Sequence, residues 1–292
     1  MRKFSSAAAA AIGLLGFAGG QAGATPATTF FSTGSPDGRI ATATRPNVSS
    51  FEIESADDFI LPFPTTITSA SFTGLFVSPT GIPTGSPTDV VVEIYRVFPN
   101  DSDVGRTSGS PVFSTPNVPT RVNSPSDMAL DSRDSSVGQL SFTTTDLGRS
   151  AAANSVRPGG IHPSPNQTTT GNGPVTGEEM QFDVSFTSPF SLAPGHYFFV
   201  PQVELDTGDF LWLSAPKPIT GGTGPFNGDL QSWTRDANLD PDWLRIGTDI
   251  VGVGAFNATF SLTGVVPEPD TLAVLGTGLL GLAFLCRSRL RR

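Results

Sequence analysis

Carboxylates are the best-supplied ionisable groups of this chain. Two of them held about 5 to 9 Å apart, one protonated, would suffice to hydrolyse a glycosidic bond. Asp57, Asp58, Glu178, Glu179, Glu204, Asp206 and Asp209 all qualify by type. Their spacing selects no pair, and a solvated surface position is the ordinary state of such side chains. The run Asp236-Ala237-Asn238-Leu239-Asp240-Pro241-Asp242 is more ordered. Asp236, Asn238, Asp240 and Asp242 place oxygen ligands at alternate positions, from which a curling loop can converge on calcium. Pro241 stands where an EF-hand needs glycine and Gly247 where it needs a bidentate glutamate, so a solvated turn competes with the calcium reading. No other cofactor is suggested.

Aromatic side chains are the second resource. Trp212, Trp233 and Trp243, with Tyr95 and Tyr197, could stack on the apolar faces of sugars. Trp212 lies inside the apolar run Phe210–Leu213 and reads as core, whereas Trp233 and Trp243 flank the acidic run and are the candidate ligand-binding pair. The two histidines, His162 in Pro-rich sequence and His196 at a strand start, read as separate structural positions. The chain has no G-x-S-x-G elbow, Walker A loop, G-x-G-x-x-G turn or H-E-x-x-H helix. The expectation is a protein without catalysis of its own, with a carbohydrate-binding module as the alternative and a glycosidase behind it.

These groups must be positioned by strands. With 32 Gly, 26 Pro and only 15% charged residues in 292, the composition favours strands and turns over surface helices. Phe182, Val184 and Phe186 alternate with polar residues, as do Phe256, Ala258, Phe260 and Leu262; Val90, Val92 and Ile94 open a third strand that runs to Phe98. Further strands are expected at Asp58–Leu61, Ile67–Val77, Gly138–Thr144, Tyr197–Leu205, Phe210–Ser214 and Leu230–Trp233. Gly208-Asp209 reads as the turn of a hairpin joining two apolar strands of one sheet. About nine strands without βαβ alternation predict an all-β fold, an antiparallel, jelly-roll-like β-sandwich over 25–265. Its polar loops are expected at Ser78–Thr88, Pro99–Val137 and Asp146–Gly177.

The centre is more acidic than the formal charge of −9, because Arg2, Lys3, Arg287, Arg289, Arg291 and Arg292 sit at the two ends. Such a surface repels phosphate backbones and excludes nucleic acid as the expected partner. The single cysteine, Cys286, forbids an intramolecular disulfide and any Cys-based zinc site.

The ends carry addressing signals. Arg2 and Lys3 precede an apolar stretch from Ala7 to Ala18, and Ala22-Gly23-Ala24 supplies the small side chains a signal peptidase probes. Residues 1–24 therefore read as a signal peptide handled by the secretion translocon, cut between Ala24 and Thr25. At the other end, Pro267-Glu268-Pro269 holds the backbone extended ahead of an apolar run, Thr271–Leu285, that contains Leu272, Leu275, Leu279, Leu280, Leu282, Phe284 and Leu285. As a helix, such a run is about 22 Å long against a hydrocarbon layer of roughly 30 Å, a marginal span. Arg287, Arg289, Arg291 and Arg292 favour the cytoplasmic side and so place the central domain outside.

The tripeptide, the apolar segment and the Arg-rich end resemble the PEP-CTERM sorting domain of exported bacterial proteins, over Val266–Arg292. The resemblance implies handling by an exosortase, a membrane-embedded cysteine protease or transpeptidase that recognises the tripeptide. It also implies a transient stay in the inner membrane, a secreted or cell-surface destination, and association with exopolysaccharide-producing bacteria. Two internal segments, Ala56-Asp57-Asp58-Phe59-Ile60-Leu61-Pro62 and Leu192-Ala193-Pro194-Gly195-His196-Tyr197, resemble recurring pieces of secreted bacterial β-sandwich modules.

Overall fold

The computed structural model describes residues 27–48, 50–78, 85–98, 100–101, 123–162, 168–219, 228–237 and 243–266. The expected signal peptide with Ala22, Ala24 and Thr25, the sorting tripeptide, the apolar tail and Asn238, Asp240 and Asp242 lie outside these residues. The described chain is nearly all β and forms two sheets.

The larger, nine-stranded sheet is centred on β4 (Thr65–Val77), an alternating strand long enough to hold partners on both edges. On one edge β9 (Val175–Leu192) pairs with it along most of its length and in turn carries β7 (Leu140–Ala152). On the other edge lie β15 (Phe260–Val265) and β11 (Asp209–Ala215). Short strands extend this side: β1 (Thr28–Ser32) on β15, and β14 (Asn257–Ala258) and β2 (Ile40–Ala43) on β11. The strand β8 (Asn154–Val156) closes the path and is parallel to β2.

The six-stranded sheet runs in the order β13 (Leu244–Arg245), β12 (Trp233–Asp236), β3 (Ile53–Leu61), β10 (Gly195–Leu205), β5 (Pro87–Val97) and β6 (Pro125–Asp134). All of its pairings are antiparallel.

Between the sheets lies an aromatic core. Phe59 and Phe199 from the smaller sheet meet Phe72, Phe182, Phe210, Trp212 and Phe260 from the larger one. Phe199 stacks on Phe260 at 4.9 Å between centroids, and Phe72 on Phe182 at 5.0 Å, near-parallel contacts that add to simple area burial. A second apolar cluster covers the opposite face of the larger sheet, where Leu75, Leu211 and Leu213 meet the π-helical turn Ile246–Val251. Burial on both faces is why Phe210–Leu213 reads as a continuous apolar run rather than an alternating one.

A tyrosine corner fixes the entry to β10. The Tyr197 hydroxyl donates to the Ala193 carbonyl at 3.0 Å, tying the strand to the turn before it. Gly195 is required for this, since a Cβ at that position would stand only 2.9 Å from the tyrosine oxygen.

Three expectations need correction. Among the described residues the strands number fifteen, because β1, β2, β6, β8 and β13 are short or polar and the stretch around Ala258 divides into β14 and β15. The expected loops are not structureless: Pro99–Val137 contains β6, and Asp146–Gly177 contains the end of β7, all of β8 and the start of β9. The turn at Gly208 exists, with φ of 88°, but it is not a hairpin. It carries the chain from β10 in one sheet to β11 in the other, packed so closely on β4 that a Cβ there would meet the Val77 carbonyl at 2.5 Å.

Candidate functional site

The alternation of β3 turns Ser55, Asp57 and Phe59 toward the other sheet and Glu54, Ala56 and Asp58 toward the outer face of the smaller one. That outer face is buried, and it is where the ionisable groups assemble. At one end, Glu52 and Glu54 meet Glu93 of β5, and one carboxylate oxygen from each lies within 4.8 Å of the others. Arg235 of β12, opposite Glu54 in the ladder, donates from Nε to the Glu54 carboxylate. The Tyr95 hydroxyl lies against Glu54 Oε1 and 3.0 Å from Glu93 Oε2, and it accepts from Arg235 Nη2 at 3.1 Å. On the strand between them, the Gln202 amide nitrogen donates to Glu52 Oε1 at 2.9 Å.

This crowding sets the charge states. Burial, then the neighbouring Glu54, raises Glu93 to about 7, and the same two causes raise Glu52. Burial and Glu54 also raise Tyr95. Burial works against the charge of Arg235, but Glu54 and Tyr95 outweigh it, so the guanidinium is held firmly protonated. Three acids thus share one resident cation. Such a site can retain a proton at neutral pH or take a hard cation on its oxygens.

The middle of the face is apolar. Trp233 and Trp243 are only 2% and 1% exposed and pack with Ala56, Tyr95, Val97, Phe198 and Val200. The Trp243 indole donates to the Ser126 carbonyl at 3.1 Å, and the Arg235 guanidinium lies 4.6 Å over its ring. The fold places both candidate tryptophans in the interior, so neither ring presents a free face for stacking. Trp212 is likewise enclosed, donating to the Thr259 carbonyl at 2.7 Å.

At the far end of the face the two internal segments singled out above become neighbours, because β3 and β10 pair with His196 opposite Ile60 and Phe198 opposite Asp58. His196 Nε2 and Asp58 Oδ2 are 2.5 Å apart. The other Asp58 oxygen accepts from the Leu230 amide at 2.9 Å, and burial raises this carboxyl to about 6 against the lowering effect of His196. Asp57 points the other way, accepting from Ser232 Oγ and the Ala258 amide, both at 2.9 Å, and burial followed by the Asp58 charge pushes it well up. These adjacent acids fasten two late segments of the chain to β3.

The remaining candidates scatter. Glu178 and Glu179 sit half-buried on β9; Glu204 is buried on β10; Asp206 accepts from the Ser86 amide at 2.8 Å; and Asp209 pairs with Arg45 at 3.5 Å. His162 follows the 3-10 turn Pro158–Gly160 and shares no hydrogen bond with His196. Asp236 is buried in β12 opposite Ile53. The Glu52–Glu54–Glu93 grouping was not anticipated from sequence. Its one linear signal is Glu93, an ionisable residue inside the apolar run Val90–Tyr95.

No helix among the described residues is long and apolar enough to cross a membrane. Residues 265–292 match the PEP-CTERM protein-sorting motif. The match is confined to this tail, and it marks the chain for exosortase-targeted sorting as an exported, surface-directed protein. No curated protein and no solved structure matches the chain.

Proposed function

We propose that this chain is a non-catalytic β-sandwich protein of the bacterial cell surface or extracellular matrix. The translocon exports it, signal peptidase trims it after Ala24, and an exosortase processes it at Pro267-Glu268-Pro269. The single observation that carries this reading is the sorting motif over residues 265–292. The apolar run passes through the inner membrane only until processing, and the mature domain resides among extracellular polysaccharide. Support for a scaffold without turnover comes from the use of the polar groups. Asp57, Asp58 and His196 are spent on interstrand and loop contacts, and the tryptophans on packing.

The test is deletion of Pro267–Pro269 followed by fractionation of cells and medium. The variant is expected to stay unprocessed in the inner-membrane fraction. Processing and release indistinguishable from the wild type would overturn the sorting assignment.

A further inference from the structure

The outer face of the six-stranded sheet carries a feature that the packing around it does not account for. Gln202 is 0% exposed, and while its amide nitrogen is held by Glu52, its Oε1 has no hydrogen-bond partner. A buried amide oxygen without a partner has lost its hydration with nothing in return, so a ligand that engages it is favoured. Gln202 is placed on the central strand of the cluster. Its neighbour in β5 is Val91, two residues from Glu93, and the ladder with β3 leads toward Glu54. Its amide is therefore fastened to the same group of carboxylates, in which three acids face one guanidinium.

We propose that Glu52, Glu54 and Glu93, with the Gln202 side-chain oxygen, form a calcium site on this face. Oxygens that share one calcium ion at 2.3–2.6 Å lie no more than about 5 Å apart, and the three carboxylates meet that condition at 4.8 Å. Arg235 makes its direct ion pair with Glu54 and acts on Glu52 only at longer range, so three acids face one resident cation and a divalent ion would balance the remainder. Glu52 and Glu93 are half-buried rather than sealed, so water can complete the coordination. Calcium fits better than magnesium, which demands a rigid octahedron and releases its waters reluctantly, whereas these ligands come from β3, β5, β10 and the residue just before β3, at spacings set by the sheet. The site is separate from Asp236–Asp242, of which only Asp236 is described, buried in β12. It goes beyond the sorting assignment and does not depend on it.

The experiment uses the full-length chain in mild detergent, stripped with EDTA and titrated with calcium alone by calorimetry. Terbium is then substituted, and its emission excited through Tyr95 and Trp243, whose rings lie 5.6 Å apart beside the cluster. The expected result is one ion per chain, with sensitised emission. Glu93→Gln and, independently, Glu52→Gln should each weaken binding by at least about tenfold, because affinity follows ligand charge. Gln202→Leu should weaken it less. Circular dichroism in EDTA identifies any variant that fails to fold, and the other variants then decide. Asp240→Asn with Asp242→Asn should leave binding unchanged. The proposal is overturned if millimolar calcium does not bind, or if binding survives Glu93→Gln and Glu52→Gln, whether or not it disappears with the Asp240/Asp242 pair.

Discussion

The two faces of the six-stranded sheet are both buried, but they are built from different materials. The inner face is aromatic and aliphatic, interlocked with the larger sheet through Phe59, Phe199, Phe72 and Phe260. The outer face mixes the two tryptophans with Glu54, Asp58, Gln202, Tyr95 and Arg235. Apolar contacts are non-directional and lose value only when atoms are removed, whereas each buried polar group depends on one particular partner. The inner face therefore carries the stability, and the outer face carries charge whose balance can be altered by a ligand, a proton or a substitution.

Four changes would break or sharpen that contrast. Phe199→Ala on the inner face should cost about 3–5 kcal/mol, read as a loss of urea midpoint, because it empties a fully enclosed position that no single neighbour can fill. Arg235→Met on the outer face should cost about 3 kcal/mol, since it strands Glu54 without its cation. Here the two faces should part company: adding Glu54→Leu to Arg235→Met should recover most of that loss, as replacing both members of a buried ion pair by apolar groups often does. A double mutant no more stable than the single one would mean that the outer face is held by packing around Arg235 rather than by charge.

Tyr197→Phe should cost about 1 kcal/mol by removing the hydrogen bond to Ala193 while keeping the ring, measured by the same denaturation. The remaining expected effect is on pH. Asp58 at about 6 and Glu93 at about 7 are raised above their unfolded values, so the folded state binds protons more tightly than the unfolded chain. Their contribution is fully present below the unfolded carboxylate range and is lost as pH rises through about 6 to 7. The melting temperature in EDTA should therefore fall between pH 5 and pH 8 for the wild type, with a shallower fall in Glu93→Gln.

The same contrast explains what the sequence shows and what it hides. Phe182, Val184 and Phe186, and Phe260 with Leu262, alternate because one side of their strands meets the core, so β9 and β15 are legible at once. The polar strand β6 is not: it lies at an edge, and of its ten residues only Pro125, Ser126 and Asp127 are buried, leaving no apolar period. The hairpin expected at Gly208 failed for another reason. The turn signal states that the chain reverses, but not whether the following strand stays in the same sheet.

Among the site residues, the motif at residues 265–292 is legible because its information is linear. Glu52, Glu54 and Glu93 are brought together only by the β3–β10–β5 pairings, which no local pattern reports. The pairing of His196 with Asp58 is an intermediate case, since each segment stands out alone and only the ladder joins them.

The central claim is that this β-sandwich reaches the cell surface through its two addressing ends. Intact-mass measurement of the product recovered from the cell surface and medium tests it most directly. The predicted mass is that of a chain beginning at Thr25 and lacking the apolar run Thr271–Leu285. Recovery of a chain that keeps both Met1 and Arg292 would contradict it.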